Sequence, residues 1–324
     1  MKNNNLTKIK YYESTVFDPY LNLAMEEKLM DSYEKGTLVF YLWQNKKTVV
    51  IGRNQCAKDE CNLSLMQEND VKLARRSSGG GAVYHDIGNL NFTFITDIQN
   101  FDTKSQLNII TETLNSFGLD CYFSGRNDLL IDEYKISGQA YLKAKDLILH
   151  HGTLIVDVNI DDLGKYLKKD CDKLKIHGVQ SHSQRVRNIK DFNNDLTVET
   201  IKIALKGNIA KIYNLPLVEC ELIKADVNKY SSDKWLYRIC SNGKRIKRRF
   251  SYGLIDLNFE LKNNVIVSII INSDLMDVLL IEEIKDQLIG RKFDANLVDS
   301  FHLSNEKVAS DIRVLIGENI LCLT

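Results

Sequence analysis

Apolar residues recur along the chain with two different spacings, and each spacing predicts a type of secondary structure. Between residues 19 and 35 they recur every three or four positions, with Asp18 before the segment and Gly36 after it. That spacing and those end residues predict a helix. The same helical spacing predicts further helices at 61–69, 103–117, 161–169 and 197–213.

Alternating or short continuous apolar runs predict strands. The clearest alternation is LNFTFIT at 90–96, and shorter runs stand at 38–43 and 48–51. From residue 121 to 158 several such runs are separated by charged turns, which indicates hairpins. Because helices and strands do not alternate regularly, we expect an α+β fold of mixed, largely antiparallel sheets flanked by helices.

The pattern changes near Cys240, and the change indicates a second domain. The segment SNGKRIKRRF carries five basic residues, and after it the spacing predicts strands at 253–260 and 265–272 and helices at 275–288 and 305–316. A chain of 324 residues is long enough for two domains. We expect a larger domain over 1–245 and a small α+β accessory domain over 246–324.

Composition excludes several classes of protein. With 44% hydrophobic and 27% charged residues the chain has an ordinary globular composition. It contains no apolar run long enough to span a membrane and no export signal at its start, so we expect a cytoplasmic protein. The seven cysteines are scattered without a CxxC pair, which favours reduced thiols over disulfides or a zinc site.

The formal net charge is zero, from 43 basic and 43 acidic side chains, and this argues against a protein built to bind nucleic acid. The balance conceals an asymmetry, however. Residues 252–324 hold 12 acidic and six basic side chains, so the rest of the chain is positive. Such asymmetry is a better indicator of charged partners than the total charge.

The strongest candidate site is the segment from Arg75 to Asp86, RRSSGGGAVYHD. Three consecutive glycines allow a backbone to approach a ligand closely, and two arginines can hold a phosphate or a carboxylate. The segment is neither a Walker loop nor a dinucleotide-binding GxGxxG motif. A flexible surface loop is the alternative interpretation.

A second candidate is Lys135, in the strand-like run that contains KISG at 135–138. A lysine there could hold its charge near a developing negative oxygen. The spacing alone favours an outward-facing strand lysine, but the Ser-Gly that follows weakens this alternative, because a glycine within a strand often marks the close approach of a ligand. Asp86 and Asp128 are candidate ligands for a phosphate-bound Mg²⁺, and turn-forming aspartates are the alternative.

The histidines and cysteines carry weaker signals. His150 and His151 are adjacent in an apolar run and would point to opposite faces of a strand, so we interpret them as buried structural residues. Cys121 and Cys171 are candidates for a nucleophile, but inert thiols are the favoured interpretation. No Ser/His/Asp arrangement can be derived from spacing alone.

Several of these segments together resemble the lipoate–protein ligases, which share a fold group with biotin ligases and octanoyl transferases. The segments are PYLNLAMEE (19–27), RRSSGGGAVYHDIGNLNF (75–92), GRNDLL (125–130), KISGQAY (135–141), HHGTL (150–154) and FSYGLIDLNFE (250–260). The resemblance covers nearly the whole chain. It implies that residues 1–245 are the catalytic domain.

The resemblance also implies a reaction. ATP and lipoate would give lipoyl-AMP and pyrophosphate, and the lipoyl group would then pass to one lysine of an acceptor protein. The implied acceptors are lipoyl domains of E2 subunits and the glycine-cleavage H protein. The implied cofactor is Mg²⁺ with ATP, and we expect a monomer without nucleic-acid or membrane partners.

The motifs place the implied site residues in this sequence. Lys135 would be catalytic and would contact both lipoate and the adenylate. The positions that match the site for ATP or lipoyl-AMP are Arg76, Gly81, Ala82, Val83 and Tyr84. The positions that match the lipoate site are Arg75, Ser77, Gly79 and Gly80.

Two departures from the family pattern affect substrate length and acceptor choice rather than the reaction. Gln139 stands where the family has a small residue. The family's SxxSRV segment reads SHSQRV here, at residues 181–186. An alternative is a carrier-to-carrier acyltransferase of the same fold that uses a cysteine thioester. A non-enzymatic binding protein is a further alternative. We also hypothesise that the positively charged larger domain, with the basic residues at 244–249 at its edge, faces an acidic acceptor and steers its approach.

Overall fold

A computed structural model describes residues 5–124, 128–168, 186–238, 244–273, 275 and 277–320. The chain divides into two compact units, one of residues 1–53 and 57–238 and the other of residues 54–56 and 239–324. The sequence-based boundary, between 245 and 246, falls seven residues later.

The helices and strands below are numbered in chain order, and a single 3-10 turn occupies Ile189–Asp191. The strands are β1 Lys8–Glu13, β2 Thr37–Trp43, β3 Thr48–Ile51, β4 Lys72–Arg75, β5 Val83–His85, β6 Asn89–Asp97, β7 Cys121–Phe123, β8 Asp128–Ile131, β9 Tyr134–Ala144, β10 Leu147–Ile155, β11 Leu217–Glu219, β12 Lys244–Phe250, β13 Gly253–Lys262 and β14 Val265–Ser273. The helices are α1 Pro19–Asp31, α2 Ala57–Glu60, α3 Leu63–Glu68, α4 Thr103–Asn115, α5 Ile160–Tyr166, α6 Val198–Tyr213, α7 Asn228–Ser231, α8 Asp233–Leu236, α9 Val278–Leu288, α10 Ala295–Asp299 and α11 Glu306–Ile320.

An eight-stranded sheet in the order β11-β1-β2-β6-β10-β9-β8-β7 forms the centre of the first unit. β1 runs parallel to both of its neighbours, and the other pairings in this sheet are antiparallel. Antiparallel neighbours need only short turns, which the hairpin-like stretch 121–158 supplies. The α+β fold with largely antiparallel sheets is therefore confirmed.

Each face of this sheet packs against helices, because alternate side chains of a strand point to opposite sides. Phe40 of β2 and Phe94 of β6 stack with ring centroids 4.9 Å apart on the face that α4 and α6 cover. Their sequence neighbours Tyr41 and Ile95 pack on the other face, in a cluster that contains Leu23 and Leu29 of α1. Strands covered on both faces are apolar at nearly every position, as β2 is.

A smaller sheet, in the order β4-β3-β5, positions the glycine-rich segment. β3 pairs in parallel with β4, and Ile51 lies opposite Arg75. It pairs with β5 in the antiparallel direction, with Val50 opposite Val83. The loop between residues 76 and 82 therefore leaves the end of β4 and returns at the start of β5, across the end of β3.

The second unit is a three-stranded antiparallel meander, β12-β13-β14, packed on α9, α10 and α11. Its first strand is the basic segment to which the sequence analysis assigned no element. Arg245 makes a two-point ion pair with buried Asp256 at 2.6 and 2.8 Å, Arg248 pairs with Glu318, and Lys244 donates to the carbonyl oxygen of Asn319. At least three of the five cations of this run thus bind within their own unit, which does not support a role for the run in steering an acceptor.

Helix α1 is shorter than the pattern predicts, because it ends at Asp31 instead of continuing to residue 35. Ser32 ends it: its backbone N–H and its hydroxyl both donate to the carbonyl oxygen of Lys28, at 3.0 and 2.8 Å. The N–H of the next residue, Tyr33, donates to the carbonyl oxygen of Met30 at 3.2 Å instead of continuing the α-helical pattern, so the last turn tightens. Gly36, taken as the stop signal, has a φ of +76° and lies before β2.

None of the helices in the described part of the chain has both the length and the apolar composition that crossing a bilayer requires.

Asp18 provides a test of local stability at the start of α1. Its carboxylate accepts from the backbone N–H groups of Tyr20 and Leu21 at 2.9 and 3.1 Å and pairs with Lys72 at 2.6 Å. We expect Asp18→Ala to lower the free energy of unfolding by about 1 kcal/mol, because the first turn loses its cap. The measurement is urea unfolding followed by circular dichroism.

Asp18→Asn is the matched control, because an amide oxygen caps a helix as well as a carboxylate does but cannot pair with Lys72. This ion pair is exposed to solvent, so its loss costs about 0–1 kcal/mol. Equal losses in the two variants would mean that the ion pair, and not the cap, stabilises the helix.

Candidate functional site

The loop between β4 and β5 is folded around the side chain of Arg76. The guanidinium group, 6% exposed, donates to the carbonyl oxygens of Gly79 at 2.6 and 3.0 Å and of Gly81 at 2.7 Å. It also donates to the hydroxyl of Ser78 at 3.1 Å and to the carbonyl oxygen of Val50 at 3.3 Å. One side chain therefore sets the path of the whole glycine run, which the interpretation as a flexible surface loop does not explain.

The close approach of this loop to β3 explains two of its glycines. Gly80 has a φ of +88°, and a Cβ there would lie 2.9 Å from the guanidinium of Arg76. A Cβ on Gly52 would overlap the carbonyl oxygen of Gly80. Gly52 follows β3 directly and was not among the residues singled out in the sequence, although a single glycine after a buried strand was the available signal.

Arg75 is completely buried, at 0% exposure, and its guanidinium binds backbone carbonyl oxygens. It donates at 2.6–3.1 Å to four of them, which belong to Gly52, Arg53, Trp235 and Leu236. Trp235 returns a hydrogen bond, since its Nε1 donates to the carbonyl oxygen of Arg75 at 2.8 Å. The sequence analysis placed Arg75 at the lipoate, and a direct contact with lipoate remains a prediction.

A buried chain of polar side chains continues from the loop into the sheet. The hydroxyl of Ser78 lies 2.7 Å from Nε2 of His151, and Nδ1 of that ring lies 2.8 Å from the carboxylate of Glu26. Thr93 donates to the same carboxylate oxygen at 2.5 Å, and Nε1 of Trp43 donates to Thr93 at 3.0 Å. The chain joins the glycine loop to α1 and to β2, β6 and β10.

Lys135 lies near the start of β9, and its ammonium pairs with a carboxylate oxygen of Asp128 at 2.6 Å. Both side chains are partly exposed, at 26% and 21%. The side chain of Lys135 lies over Gly138: a Cβ built on that glycine would be 3.3 Å from the Nζ atom. The glycine of the KISG motif therefore leaves room for the lysine.

Register and spacing place the glycine loop and Lys135 on one face of the main sheet. Gly138 and Ala140 share a face because they are two residues apart in β9, and Lys135 lies over Gly138. A Cβ at Gly80 would be 3.9 Å from that of Ala140, so the loop lies on the same face. His151 pairs directly with Ala140 across β9 and β10. The ammonium of Lys135 lies at Gly138, two residues along β9 from Ala140.

The remaining residues of the RRSSGGGAVYHD segment lie at its two ends. The Ser77 hydroxyl is 2.8 Å from that of Tyr230. Val83 and Tyr84 belong to β5 and follow Ala82, and the Tyr84 hydroxyl donates to Asp162 at 3.3 Å. Burial raises the pKa of Tyr84 well above its ordinary value, and nearby Asp162 and Asp86 raise it further, so the phenol keeps its proton.

The two candidate metal ligands lie in different surroundings. One carboxylate oxygen of Asp86 accepts from the backbone N–H of Gly88 at 2.8 Å and the other from that of Asn159 at 2.9 Å. This is the turn-forming arrangement given as the alternative. Asp128 pairs with Lys135. In the described parts of the chain no three His, Cys, Asp or Glu side chains are grouped as a metal site.

His150 and His151 do point to opposite faces, as the sequence analysis expected. His150 lies between the amide oxygens of Gln106 and Gln139, at 2.8 and 3.0 Å, and burial lowers its pKa to about 3. Gln139, the departure from the family pattern, also donates to Ser137 at 2.7 Å. It therefore lies on the face away from Lys135, where Gly152 leaves room for it.

Burial also decides the interpretation of Cys121. The thiol is 2% exposed, and burial together with the charge of Asp120 raises its pKa to about 12. A thiol that remains protonated is a poor nucleophile, so the inert interpretation holds for this residue. Cys171, Arg126 and the Ser181–Arg185 part of the SxxSRV segment lie outside the described residues.

Four residues of the site, Glu26, His151, Tyr230 and Trp235, were not assigned to it from the sequence, although two of them lie in segments quoted for the resemblance. Glu26 lies in PYLNLAMEE, where it fits the polar face of a helix, and His151 lies in HHGTL, where it was interpreted as a buried structural residue. Tyr230 and Trp235 carried no signal, because the single helical turns α7 and α8 have no periodicity.

Comparison with protein families gives two matches along the chain. Residues 18–210 match a model described as the lipoyl protein ligase A/B catalytic domain. Residues 243–311 match one described as the bacterial lipoate protein ligase C-terminus. A lipoate-protein ligase A of Psychrobacter cryohalolentis is 36% identical over 96% of this chain and 99% of its own length.

Solved structures give the same result. P. falciparum LipL1 in complex with lipoate is 28% identical, with a TM-score of 0.79 over 96% of this chain and 99% of its own. A bi-partite lipoate protein ligase with its E2 lipoyl domain, from Thermoplasma acidophilum, is 27% identical, with a TM-score of 0.63 over 73% of this chain and 98% of its own. A lipoate-protein ligase A bound with ATP is 26% identical, with a TM-score of 0.60 over 72% and 98%.

The three consecutive glycines respond differently to a methyl group. We expect Gly80→Ala to lower the free energy of unfolding by about 1–2 kcal/mol from the positive φ alone. At Gly79 and Gly81 a Cβ meets nothing within 4 Å. Alanine at either position should therefore change the free energy of unfolding by less than about 0.5 kcal/mol. Urea unfolding of the three single variants gives the comparison. Equal losses in all three would contradict the loop path described above.

Proposed function

The chain belongs to the lipoate–protein ligase family, and from that premise we propose which of its residues perform the ligase reaction and how. The enzyme is an ATP-dependent ligase that activates lipoate as lipoyl-AMP and transfers the lipoyl group to a lysine of an acceptor protein. One observation carries the assignment of residues: Lys135 and the loop that Arg76 organises lie on the same face of the main sheet.

In the first step a lipoate carboxylate oxygen attacks the α-phosphorus of ATP, and pyrophosphate leaves with its bonding electrons. Both reactants are anions, so a fixed positive charge between them lowers the barrier. We assign this charge to the ammonium of Lys135. The glycine loop, with Arg76 inside it and Ala82, Val83 and Tyr84 after it, would hold the adenylate, because a glycine backbone allows close approach.

In the second step the neutral amine of the acceptor lysine attacks the carbonyl carbon of lipoyl-AMP. An amide bond forms, AMP leaves, and the amine gives up a proton. Lys135 could stabilise the negative charge on the carbonyl oxygen during this attack. No protein nucleophile is required, which agrees with the buried, protonated thiol of Cys121 and does not favour a thioester mechanism.

The lipoate would lie against the loop at Ser77, Gly79 and Gly80. The chain Ser78–His151–Glu26 supports the loop beneath that position. Its hydrogen bonds hold His151 between an acceptor carboxylate and a hydroxyl, so the ring has one defined orientation. A loop supported in this way would present a fixed surface to the acyl substrate, whose carboxylate must reach Lys135.

Mg²⁺ is proposed as a companion of ATP. It commonly binds proteins through one or two carboxylates together with substrate phosphates and water. Asp128 fits this pattern because it is partly exposed and adjacent to Lys135. Asp86 fits it less well, because both of its oxygens already accept backbone N–H groups. When bound, Mg²⁺ would neutralise charge on the triphosphate.

Other parts of the sequence-based hypothesis stay predictions. These are the identity of the acceptor, whether an E2 lipoyl domain or the glycine-cleavage H protein, the monomeric state and the cytoplasmic location. The family relationship and the ligase–lipoyl domain pair of Thermoplasma acidophilum support an acceptor of the lipoyl-domain type.

Lys135→Ala tests the assignment directly. We expect lipoate-dependent ATP–pyrophosphate exchange to fall by about 10²–10³-fold, as when one preorganised electrostatic contact is removed from an active site. The melting temperature should stay close to that of the unchanged chain, since the ion pair with Asp128 is partly exposed. The assay follows labelled pyrophosphate entering ATP in the presence of lipoate.

A matched control is Lys143→Ala, because Lys143 lies on the same strand, β9, well away from Lys135. It should exchange at the unchanged rate. Full exchange by Lys135→Ala would contradict the role of Lys135, whereas no exchange by the unaltered protein would contradict ATP-dependent activation itself.

A further inference from the structure

A short segment late in the first unit contacts the RRSSGGGAVYHD segment at two of its residues, Arg75 and Ser77. This two-helix segment, residues 228–236, consists of α7 and α8. Tyr230 contacts the Ser77 hydroxyl at 2.8 Å, and Trp235 donates to the carbonyl oxygen of Arg75 at 2.8 Å. The guanidinium of Arg75 in turn binds the carbonyl oxygens of Trp235 and Leu236. These contacts lie on either side of Arg76, where the chain enters the glycine loop.

Packing holds the two-helix segment in place independently of these hydrogen bonds. Tyr230 is 1% exposed and lies in the apolar cluster that includes Leu23 and Leu29 of α1. Its ring meets that of Trp235 edge to face, with centroids 5.9 Å apart. Lys229 lies over the Trp235 ring at 4.7 Å and pairs with Glu27 of α1 at 2.5 Å. The segment is therefore a fixed support.

The Tyr230 hydroxyl and the Trp235 N–H bond to the RRSSGGGAVYHD segment and not to solvent. Burial, which is the main cause, raises the pKa of Tyr230 well above its ordinary value, so its hydroxyl keeps a proton to share with Ser77. The Trp235 indole has one N–H, and it is directed to the backbone of Arg75. If the two rings served packing alone, neither the Tyr230 hydroxyl nor the Trp235 N–H would have to bond to the RRSSGGGAVYHD segment.

We propose that Tyr230 and Trp235 are positioning residues for adenylation: Trp235 holds the backbone at Arg75 and Tyr230 holds the hydroxyl of Ser77, and together they fix the entry of the loop that receives the adenylate. In this arrangement the guanidinium of Arg75 joins the two-helix segment to the residues that follow β3, because it donates to the carbonyl oxygens of Leu236 and Gly52. The inference rests on the proposed function, because it assigns the loop to the adenylate.

The physical argument is one of preorganisation. A glycine-rich loop has more conformational freedom than any other segment, and ordering it upon binding costs affinity. Two hydrogen bonds at its entry, made by rigid aromatic side chains, remove part of that freedom before the substrate binds. Losing one neutral hydrogen bond changes such an equilibrium by about fivefold.

Phenylalanine variants separate positioning from packing, because Tyr230→Phe removes one hydroxyl and Trp235→Phe removes the indole N–H while each keeps an aromatic ring. In each full-length variant at 25 °C we expect kcat/KM for lipoate-dependent pyrophosphate exchange to fall about fivefold. Tyr237→Phe is the matched control, since Tyr237 directly follows the segment and its side chain is exposed. It should stay within 1.5-fold of the unaltered protein.

A second measurement does not depend on activity. Backbone amide hydrogen exchange at residues 76–81 should become about fivefold faster in Tyr230→Phe and Trp235→Phe, while the buried strand β6 keeps its protection. Unchanged kcat/KM and unchanged exchange at 76–81, with a lower melting temperature, would overturn the proposal and leave the segment a structural support only. If the unaltered protein failed to catalyse pyrophosphate exchange, the proposed function would fail, and the amide exchange would still decide whether the residues position the loop.

Discussion

The site depends on one constraint: Arg75 and Arg76, which are neighbours in sequence, both have buried guanidinium groups. A buried cation is very unfavourable unless its N–H groups find acceptors, and an arginine has five of them in a fixed plane. The acceptors of Arg75 and Arg76 are mainly backbone carbonyl oxygens, and these come from the end of β3, from the glycine loop and from residues 235 and 236. Three segments distant in sequence must therefore converge on two adjacent side chains.

This constraint explains features that would otherwise look independent. The loop needs glycine because it must bend tightly enough for the carbonyl groups of Gly79 and Gly81 to face one guanidinium. The residue after β3, Gly52, must be a glycine because the carbonyl oxygen of Gly80 lies where a Cβ would stand. Below the loop, the hydrogen-bonded chain from Ser78 to Glu26 connects it to α1, so the PYLNLAMEE motif belongs to the same site as the RRSSGGGAVYHD motif.

The sequence allowed good prediction of long regular elements and poor prediction of short or charged ones. β6 alternates cleanly and α4 repeats every three or four residues, so both were found. β12 was missed because five cations in seven residues suggest an exposed segment, whereas in the strand Arg245 pairs with Asp256 and Arg248 pairs with Glu318. α7 and α8 are single turns, too short to show any periodicity.

The same limit applies to the site. The glycines, the arginines and Lys135 stand in compact motifs, and local chemistry was enough to select them. Glu26 and His151 are 125 residues apart, and Ser77 and Tyr230 are 153 apart. Such pairs are created by the topology of the sheet, and nothing in the local pattern at either end indicates the other. Gln139 illustrates the converse: the motif marked its position, but only the strand register shows that it faces away from Lys135.

The site thus contains two kinds of cation with different physical strength. Arg75 and Arg76 are buried and bound to many acceptors, so displacing either would leave unpaired charge in the interior, at a cost of several kcal/mol. Lys135 is partly exposed and pairs with one carboxylate, and such a pair contributes only about 0–1 kcal/mol. A phosphate or carboxylate oxygen can therefore replace Asp128 as the partner of Lys135 at little cost. The arginines shape the loop permanently, and the lysine keeps a charge that a substrate can take over.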